Sequence, residues 1–138
     1  LRVFFDVDRA GLLHVADDRV VVRLGHAAYG PDVPRVPQTF ELDRLFPWTN
    51  RRAVNEQQPV VMRRLEDLPP EAATDRATYQ HLGVISNLTV PIVSGSEVTH
   101  LVAMGSLRRE KEWPLEYVPR VRLLGEMIVG DFDSHVDG

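Results

Sequence analysis

The side chains that could act as nucleophiles are hydroxyls, since the chain contains no cysteine. Nucleophilic catalysis requires such a group beside an activating base, and many hydrolases present it on a sharp strand-to-helix turn flanked by glycines. The serines lie in no such context, and we interpret them as turn or strand residues. They are Ser86, Ser94, Ser96 and Ser106. The missing cysteines also exclude disulfides, thiolate metal sites and chromophores attached through a thioether.

Metal coordination would need histidines or carboxylates at short, regular spacings. The five histidines are scattered over positions 14, 26, 81, 100 and 135. Asp6 and Asp8 lack a third oxygen ligand at loop spacing, and the acids of residues 131–138 do not match a calcium loop. We therefore predict no metal site and no enzymatic activity.

The charge balance gives no support to nucleic-acid binding, because 16 basic residues face 20 acidic ones for a net charge of -4. The charged run 108–112 mixes both signs, and no glycine-rich phosphate loop is present. No apolar run approaches the ~20 residues that a membrane helix needs, so we expect no membrane insertion. With no cysteine and no signal peptide, we expect a cytoplasmic protein.

The central elements lie between Gly83 and Gly105, where two strand-forming runs flank a turn at Ser94-Gly95-Ser96. Side chains alternate along a strand, so Asn87 and Thr89 are predicted on one face of the first run. Its apolar residues take the opposite face; they are Leu88, Val90 and Ile92. The second run is apolar on both faces. The same alternation assigns Val98, Val102 and Met104 to one of them and Leu101 and Ala103 to the other. Such a strand belongs in the middle of a covered sheet.

The other elements supply helices and a second hairpin. The predicted elements, in order, are a helix end at Leu1–Phe5, strands at Ala10–Ala16 and Arg19–Tyr29, a helix over Glu41–Gln57 broken at Pro47, a short strand at Val60–Met62, a helix over Ala72–Leu82, and a final helix opening at Trp113-Pro114. Residues 131–138 are polar, and we expect them to fray. The result is an α+β domain whose antiparallel sheet of about five or six strands carries helices on both faces.

The chain resembles the GAF family of small-molecule sensor domains from about Phe46 to Phe132. The resembling residues are Phe46-Pro47-Trp48, Gln58-Pro59-Val60, Leu65 to Ala72, Leu82-Gly83-Val84, Ser86, Val90-Pro91-Ile92, Gly105-Ser106-Leu107 and Trp113-Pro114. The resemblance implies a single GAF-like domain over residues 1–138, with a GAF/PAS-like sheet. It also implies a fragment of a longer bacterial regulator, lacking the start of its N-terminal helix.

The polar residues Asn87 and Thr89 are unusual on a strand expected to be central. They either face solvent or a covering loop, or they are the few polar groups of a largely apolar ligand cavity. In the resembled family, ligands lie between the sheet and the central helices, which would bring Trp48, Tyr79 and His26 nearby. The pattern typical of cyclic-nucleotide-binding members is absent, which disfavours those ligands.

Two functions remain open at this point. The first is a small-molecule-sensing domain of a sensor histidine kinase or an enhancer-binding transcription activator, joined covalently to an output domain. The second is a GAF-like module that only dimerises and relays a signal. In either case we expect a homodimer through the terminal helices, because the final helix is apolar on more than one face. The sequence identifies neither a ligand nor a cofactor.

Overall fold

A computed structural model describes residues 5–137 of the chain, and the side chains of residues 5–130. Its centre is one six-stranded sheet in the order β3-β2-β1-β6-β5-β4, in which all neighbours are antiparallel. The strands are β1 (Arg9–Val15), β2 (Val21–Tyr29), β3 (Thr39–Glu41), β4 (Val60–Met62), β5 (Ser86–Ser94) and β6 (Glu97–Ser106). The expected α+β class and strand number are confirmed.

Helices cover both faces of this sheet. One face carries short segments: α1 (Leu42–Leu45), α2 (Pro47–Thr49) with its π-helical continuation Asn50–Asn55, two 3-10 turns (Leu65–Asp67 and Pro70–Ala72), and α3 (Ala73–Leu82). The other face carries the long helix α4 (Tyr117–Asp137). Two buried apolar clusters follow, one on each side of the sheet. Both faces of the central strands are therefore covered, as the sequence predicted.

The central hairpin β5–β6 turns at Gly95, whose φ of 67° lies in the left-handed region that glycine adopts without strain. Leu88, Val90 and Ile92 share one face, as predicted, and belong to the cluster under α4. The alternation predicted Val98 on the same face as Val102, but the structure places the two residues on opposite faces. The register slips between Ile92 and Val93, which turns Val98 into the opposite cluster.

The final helix differs from the prediction at both ends. It begins at Tyr117 rather than at Trp113-Pro114, because the Trp113 indole is buried and donates its N–H to the Met62 carbonyl and to Ser86 Oγ. It also continues to Asp137, where fraying was expected. The predicted helix end at residues 1–4 and the Phe132 side chain lie outside the described residues.

The remaining predicted elements form nearly where the sequence placed them. The break at Pro47 separates α1 from α2, and Gly83 ends α3 with a φ of 75°. Strand β3 was not predicted. No helix in the described part of the chain combines the length and the apolar character needed to cross a membrane.

Candidate ligand-binding site

A cavity of about 280 Å³ lies between the sheet and the helices α1–α3. Its wall is mostly apolar, with a few polar groups at one end. The residues that line it are Arg9, Ala10, Gly11, Leu13, Leu24, Ala27, Tyr29, Val36, Pro37, Phe40, Leu42, Leu45, Phe46, Thr49, Thr78, Tyr79, His81, Leu82, Asn87, Thr89, Leu101 and Ala103. This composition and location are typical of a small-molecule site.

The register of the sheet arranges the cavity floor in rows that run across four strands. The first row is polar: Tyr29 pairs with Arg9, Arg9 pairs with Gly105, and Gly105 pairs with Asn87. Glycine in this row leaves room between the two polar side chains. A β-carbon at position 105 would lie 3.5 Å from Arg9 Nε and 3.6 Å from Asn87 Oδ1.

The second row consists of small residues. Ala27 pairs with Gly11, Gly11 with Ala103, and Ala103 with Thr89. Short side chains in the middle of a sheet leave the covering helices with nothing to pack against at that point. The cavity therefore lies above this row.

The third row is apolar and closes the far end. Leu24 pairs with Leu13, and Leu13 pairs with Leu101. Successive rows are two residues apart, so about 13 Å of strand separates the first row from the third. The floor thus has a polar end and an apolar end.

The covering helices are held together by Asp75, which is fully buried. Its carboxylate accepts hydrogen bonds from the Trp48 and Thr49 backbone N–H groups at 3.0 and 2.9 Å, and from Thr49 Oγ1 at 2.7 Å. These bonds connect α3 to α2. They therefore fix the position of the cavity roof over the sheet.

Tyr79, one turn after Asp75 on α3, projects from the roof toward the polar row. Its ring packs against Phe46 with centroids 4.9 Å apart. Burial raises the pKa of the Tyr79 hydroxyl well above its ordinary value, while hydrogen bonds with Thr49 and Thr89 act in the opposite direction. The hydroxyl is therefore neutral at physiological pH.

Asn87 is 3% exposed and finds its partners inside the protein. With one amide orientation, Nδ2 donates to Thr89 Oγ1 at 2.9 Å and to the Tyr79 hydroxyl at 3.3 Å. The opposite orientation satisfies the network better: Nδ2 donates to the Met104 carbonyl at 3.1 Å, and Oδ1 accepts from Thr89 Oγ1 at 2.9 Å. Neither the solvent nor a covering loop is needed to explain this buried amide.

Arg9 is the half-buried cation of the polar row. Burial lowers the pKa of its guanidinium, and the neighbouring Tyr29 and Tyr79 partly offset that effect. An arginine nevertheless keeps its charge at physiological pH. No ion pair or hydrogen bond of the Arg9 guanidinium is found among the described residues, although seven other arginines pair with acids.

A loop between β2 and β3 forms the rim of the polar end. The Tyr29 hydroxyl accepts a hydrogen bond from the Val36 N–H at 3.3 Å, and the Arg35 guanidinium lies over the Tyr29 ring at 4.6 Å. Val36 and Pro37 then line the cavity directly. Tyr29 thus connects the floor to the rim.

The structure brings together three of the five residues that the sequence nominated. Tyr79, Asn87 and Thr89 line the cavity. Trp48 packs against the core on the same side of the sheet but is not a lining residue. His26 is exposed and pairs with Leu12, which belongs to the cluster on the α4 side. A bulge at Gly25 sets this orientation, since it places Leu24 and Ala27 together on the cavity face.

Sequence reasoning missed Arg9, Tyr29 and Asp75. Arg9 alternates with Gly11 and Leu13, so strand periodicity could have placed it on the covered face. Asp75 lies four residues before Tyr79 on the inward side of α3. Helix periodicity could therefore have placed it on the covered face as well. The position of Tyr29 on the cavity face depends on the bulge at Gly25, which the sequence did not show.

Comparison with known proteins identifies the fold. No protein-family model and no curated protein matches the chain. Among solved structures, the chain is similar to the phycocyanobilin-bound GAF domain of a cyanobacterial phytochrome, with a TM-score of 0.78 and 15% identity over 99% of this chain and 80% of the other. The GAF domain of PixJ from Thermosynechococcus elongatus, in its blue-light-absorbing form, gives a TM-score of 0.69 and 15% identity over 99% and 83%.

A third similar structure is a domain of a protein described as a two-component sensor histidine kinase of Sinorhizobium meliloti 1021. It gives a TM-score of 0.67 and 13% identity over 96% of this chain and 83% of the other. These comparisons show that the chain has the GAF-domain fold, as its sequence motifs indicated.

Proposed function

We propose that this chain, which has the fold of a GAF domain, is a regulatory domain that senses a small molecule within a bacterial signal-transduction protein. The observation that carries the proposal is the cavity between the sheet and α1–α3, which is mostly apolar with polar groups at one end. The ligand changes the position of the roof helices, and a covalently linked output domain reads that change. The parent protein is a sensor histidine kinase or an enhancer-binding transcription activator, and the domain itself has no catalytic activity.

The size of the cavity restricts the ligand. Its volume of about 280 Å³ is close to the lower end of the range for drug-sized ligands, roughly 300–1,000 Å³. With no cysteine in the chain, thioether attachment is excluded and the ligand is bound without a covalent thioether bond. Association and release are then reversible, as sensing a changing concentration requires.

The alternative function is a relay module without a ligand. The hydrogen bonds that Asn87 makes inside the protein favour this alternative. Because Thr89, Tyr79 and Met104 provide the hydrogen-bond partners, no bound molecule is needed to compensate this amide. The open volume above Gly11 and Ala103 favours the sensor instead, since a relay module gains stability by filling such a space.

A matched pair of alanine substitutions on β2 distinguishes the two functions. Ala27 lines the cavity floor, and Ala28 pairs with Ala10 on the opposite face. Both alanines are exposed enough to accept a larger side chain. Ala27→Leu reduces the cavity, and Ala28→Leu serves as the control for the added leucine.

The experiment is a nuclear magnetic resonance screen of small, uncharged and charged fragments against the ¹⁵N-labelled protein. A sensor shows binders that shift cavity resonances in the parent and in Ala28→Leu but not in Ala27→Leu. A relay module shows no cavity binder in any of the three proteins. Binding that is insensitive to Ala27→Leu contradicts a site in this cavity.

The proposal includes a homodimer through the terminal helices. On the outer face of α4, Leu123 and Met127 are each 58% exposed and lie one turn apart. Arg120 and Glu126 are exposed on the same helix and carry opposite charges. A second copy in a two-fold arrangement can therefore cover the apolar pair and match the charges around it.

A further inference from the structure

We infer that the molecule sensed in this cavity is an amphipathic carboxylate, whose anionic head binds Arg9 and whose apolar body extends toward the leucine row. This inference rests on the proposed sensing function and adds the chemical class of the ligand. It derives from the cation at one end of the cavity, from the lack of acids among the described residues that line it, and from the change of polarity along the floor.

The charge of Arg9 is isolated within the cavity. Among the residues that line the cavity, Arg9 is the one permanent charge and none is acidic. A half-buried guanidinium has lost part of its hydration and gains most from a planar anion that accepts two parallel hydrogen bonds. Tyr29 and Tyr79 interact with it electrostatically, but neither supplies a carboxylate.

The nearby acids of the protein are already engaged elsewhere. Asp8, the preceding residue, accepts hydrogen bonds from the Leu107 and Arg108 N–H groups at 2.6 and 3.2 Å. Asp75 is occupied by the backbone of α2 and the Thr49 hydroxyl. Neither carboxylate is therefore available to Arg9.

The rim of the cavity carries a local positive charge. Arg35 stacks on Tyr29, the residue that pairs with Arg9 in the first row, and no ion pair of Arg35 is found among the described residues. Two cations thus stand at the polar end of the cavity, although the whole chain has a net charge of -4. This arrangement attracts an anion toward one place on an acidic protein.

The polarity of the cavity floor changes along the strands. The polar row holds Arg9 and Asn87, the next row is built of small residues, and the third row is leucine. Leu42 lines the cavity as well and follows β3, which pairs with β2 at residues 21–23, next to Leu24. An anionic head and an apolar body on one molecule match this gradient over about 13 Å.

The test compares acids with their uncharged amides by isothermal titration calorimetry. The probes are octanoate, phenylacetate and cinnamate, each against octanamide, phenylacetamide and cinnamamide. At least one acid is expected to bind about tenfold or more tightly than its amide, because the amide retains the shape and loses the charge. Arg9→Met is expected to abolish that preference. Arg23→Gln, which removes an exposed charge from β2, is expected to preserve it.

Stability separates a ligand-binding arginine from a structural one. Since no acidic partner of Arg9 is found among residues 5–130, Arg9→Met is expected to leave the melting temperature of the ligand-free protein unchanged or higher. A large loss of melting temperature would show that Arg9 serves the fold, and overturns the inference. Arg9→Lys retains the charge and is expected to keep part of the preference for acids.

The outcomes also separate this inference from the proposed function. If amides bind in the cavity as tightly as acids, or if other uncharged fragments bind and the acids do not, the sensing function is supported and the carboxylate inference fails. If neither the acids nor any screened fragment binds in the cavity, both fail.

Discussion

The buried carboxylate of Asp75 is expected to be one of the most sensitive positions in the chain. Asp75→Ala removes an acceptor that serves two backbone N–H groups and the Thr49 hydroxyl, and leaves those donors buried. Hydrogen bonds to charged groups contribute about 1.5–3 kcal/mol each, and an orphaned donor costs about 1–3 kcal/mol. The three bonds share one group and are not additive, and the mutation also removes a buried charge. We therefore expect a net loss of about 3–5 kcal/mol in the free energy of unfolding.

The assay is urea unfolding followed by circular dichroism. With a slope of about 1–3 kcal/mol per molar urea, this loss lowers the midpoint by roughly 1–5 M. Asp75→Asn retains one acceptor oxygen and is expected to lose about half as much. Asp43, exposed on α1, provides the control, because Asp43→Ala should change stability by less than about 0.5 kcal/mol. A loss below about 1 kcal/mol for Asp75→Ala would refute the claim that this residue positions the roof.

Two further predictions concern pH and assembly. Burial raises the pKa of Tyr79 above its unfolded value of 10.0, so the unfolded state ionises first and stability falls as pH rises above about 10. Tyr79→Phe should flatten that alkaline decline in thermal melts recorded from about pH 8 to 11, and an unchanged slope would contradict the assignment. Leu123→Glu places a charge on the outer face of α4 and should shift sedimentation from dimer toward monomer, whereas a strictly monomeric parent protein at high concentration would count against the dimer.

Strand alternation was sufficient to predict part of the site. It placed Asn87 and Thr89 on the face opposite Leu88, and the structure lines the cavity with both. The end of α3 at Gly83 could also be predicted from nearby residues, because a left-handed backbone conformation is needed there and glycine adopts it. These features depend on neighbouring residues alone, which is why the sequence revealed them.

Features that depend on long-range register were not predictable. The polar row joins Tyr29 and Arg9 of one hairpin to Gly105 and Asn87 of another hairpin that is far away in sequence. Bulges at β1–β2 and β5–β6 reverse the face of the residues on one side of each slip, and Val98 was misplaced for this reason. Three-residue strand β3 has no periodicity of its own and exists because β2 offers it an edge.

Contacts between distant segments explain the other errors. Trp113 was taken for the start of a helix, but its indole N–H reaches the Met62 carbonyl and Ser86 Oγ. For Asn87, the sequence left open solvent, a covering loop or a ligand as hydrogen-bond partners. The structure adds Tyr79 and Thr89, which come within hydrogen-bonding distance only in the folded chain. A ligand is instead supported by the cavity and by the Arg9 guanidinium, for which no ion pair is found among residues 5–130.

Native mass spectrometry of the protein purified under non-denaturing conditions tests the sensing function most directly. The central claim predicts an additional mass of one small molecule, either co-purified or added from the binders of the fragment screen. That mass should persist in Ala28→Leu and disappear in Ala27→Leu, since only the latter substitution enters the cavity. A protein that carries no additional mass under any of these conditions, or that retains it equally in both variants, would contradict the claim.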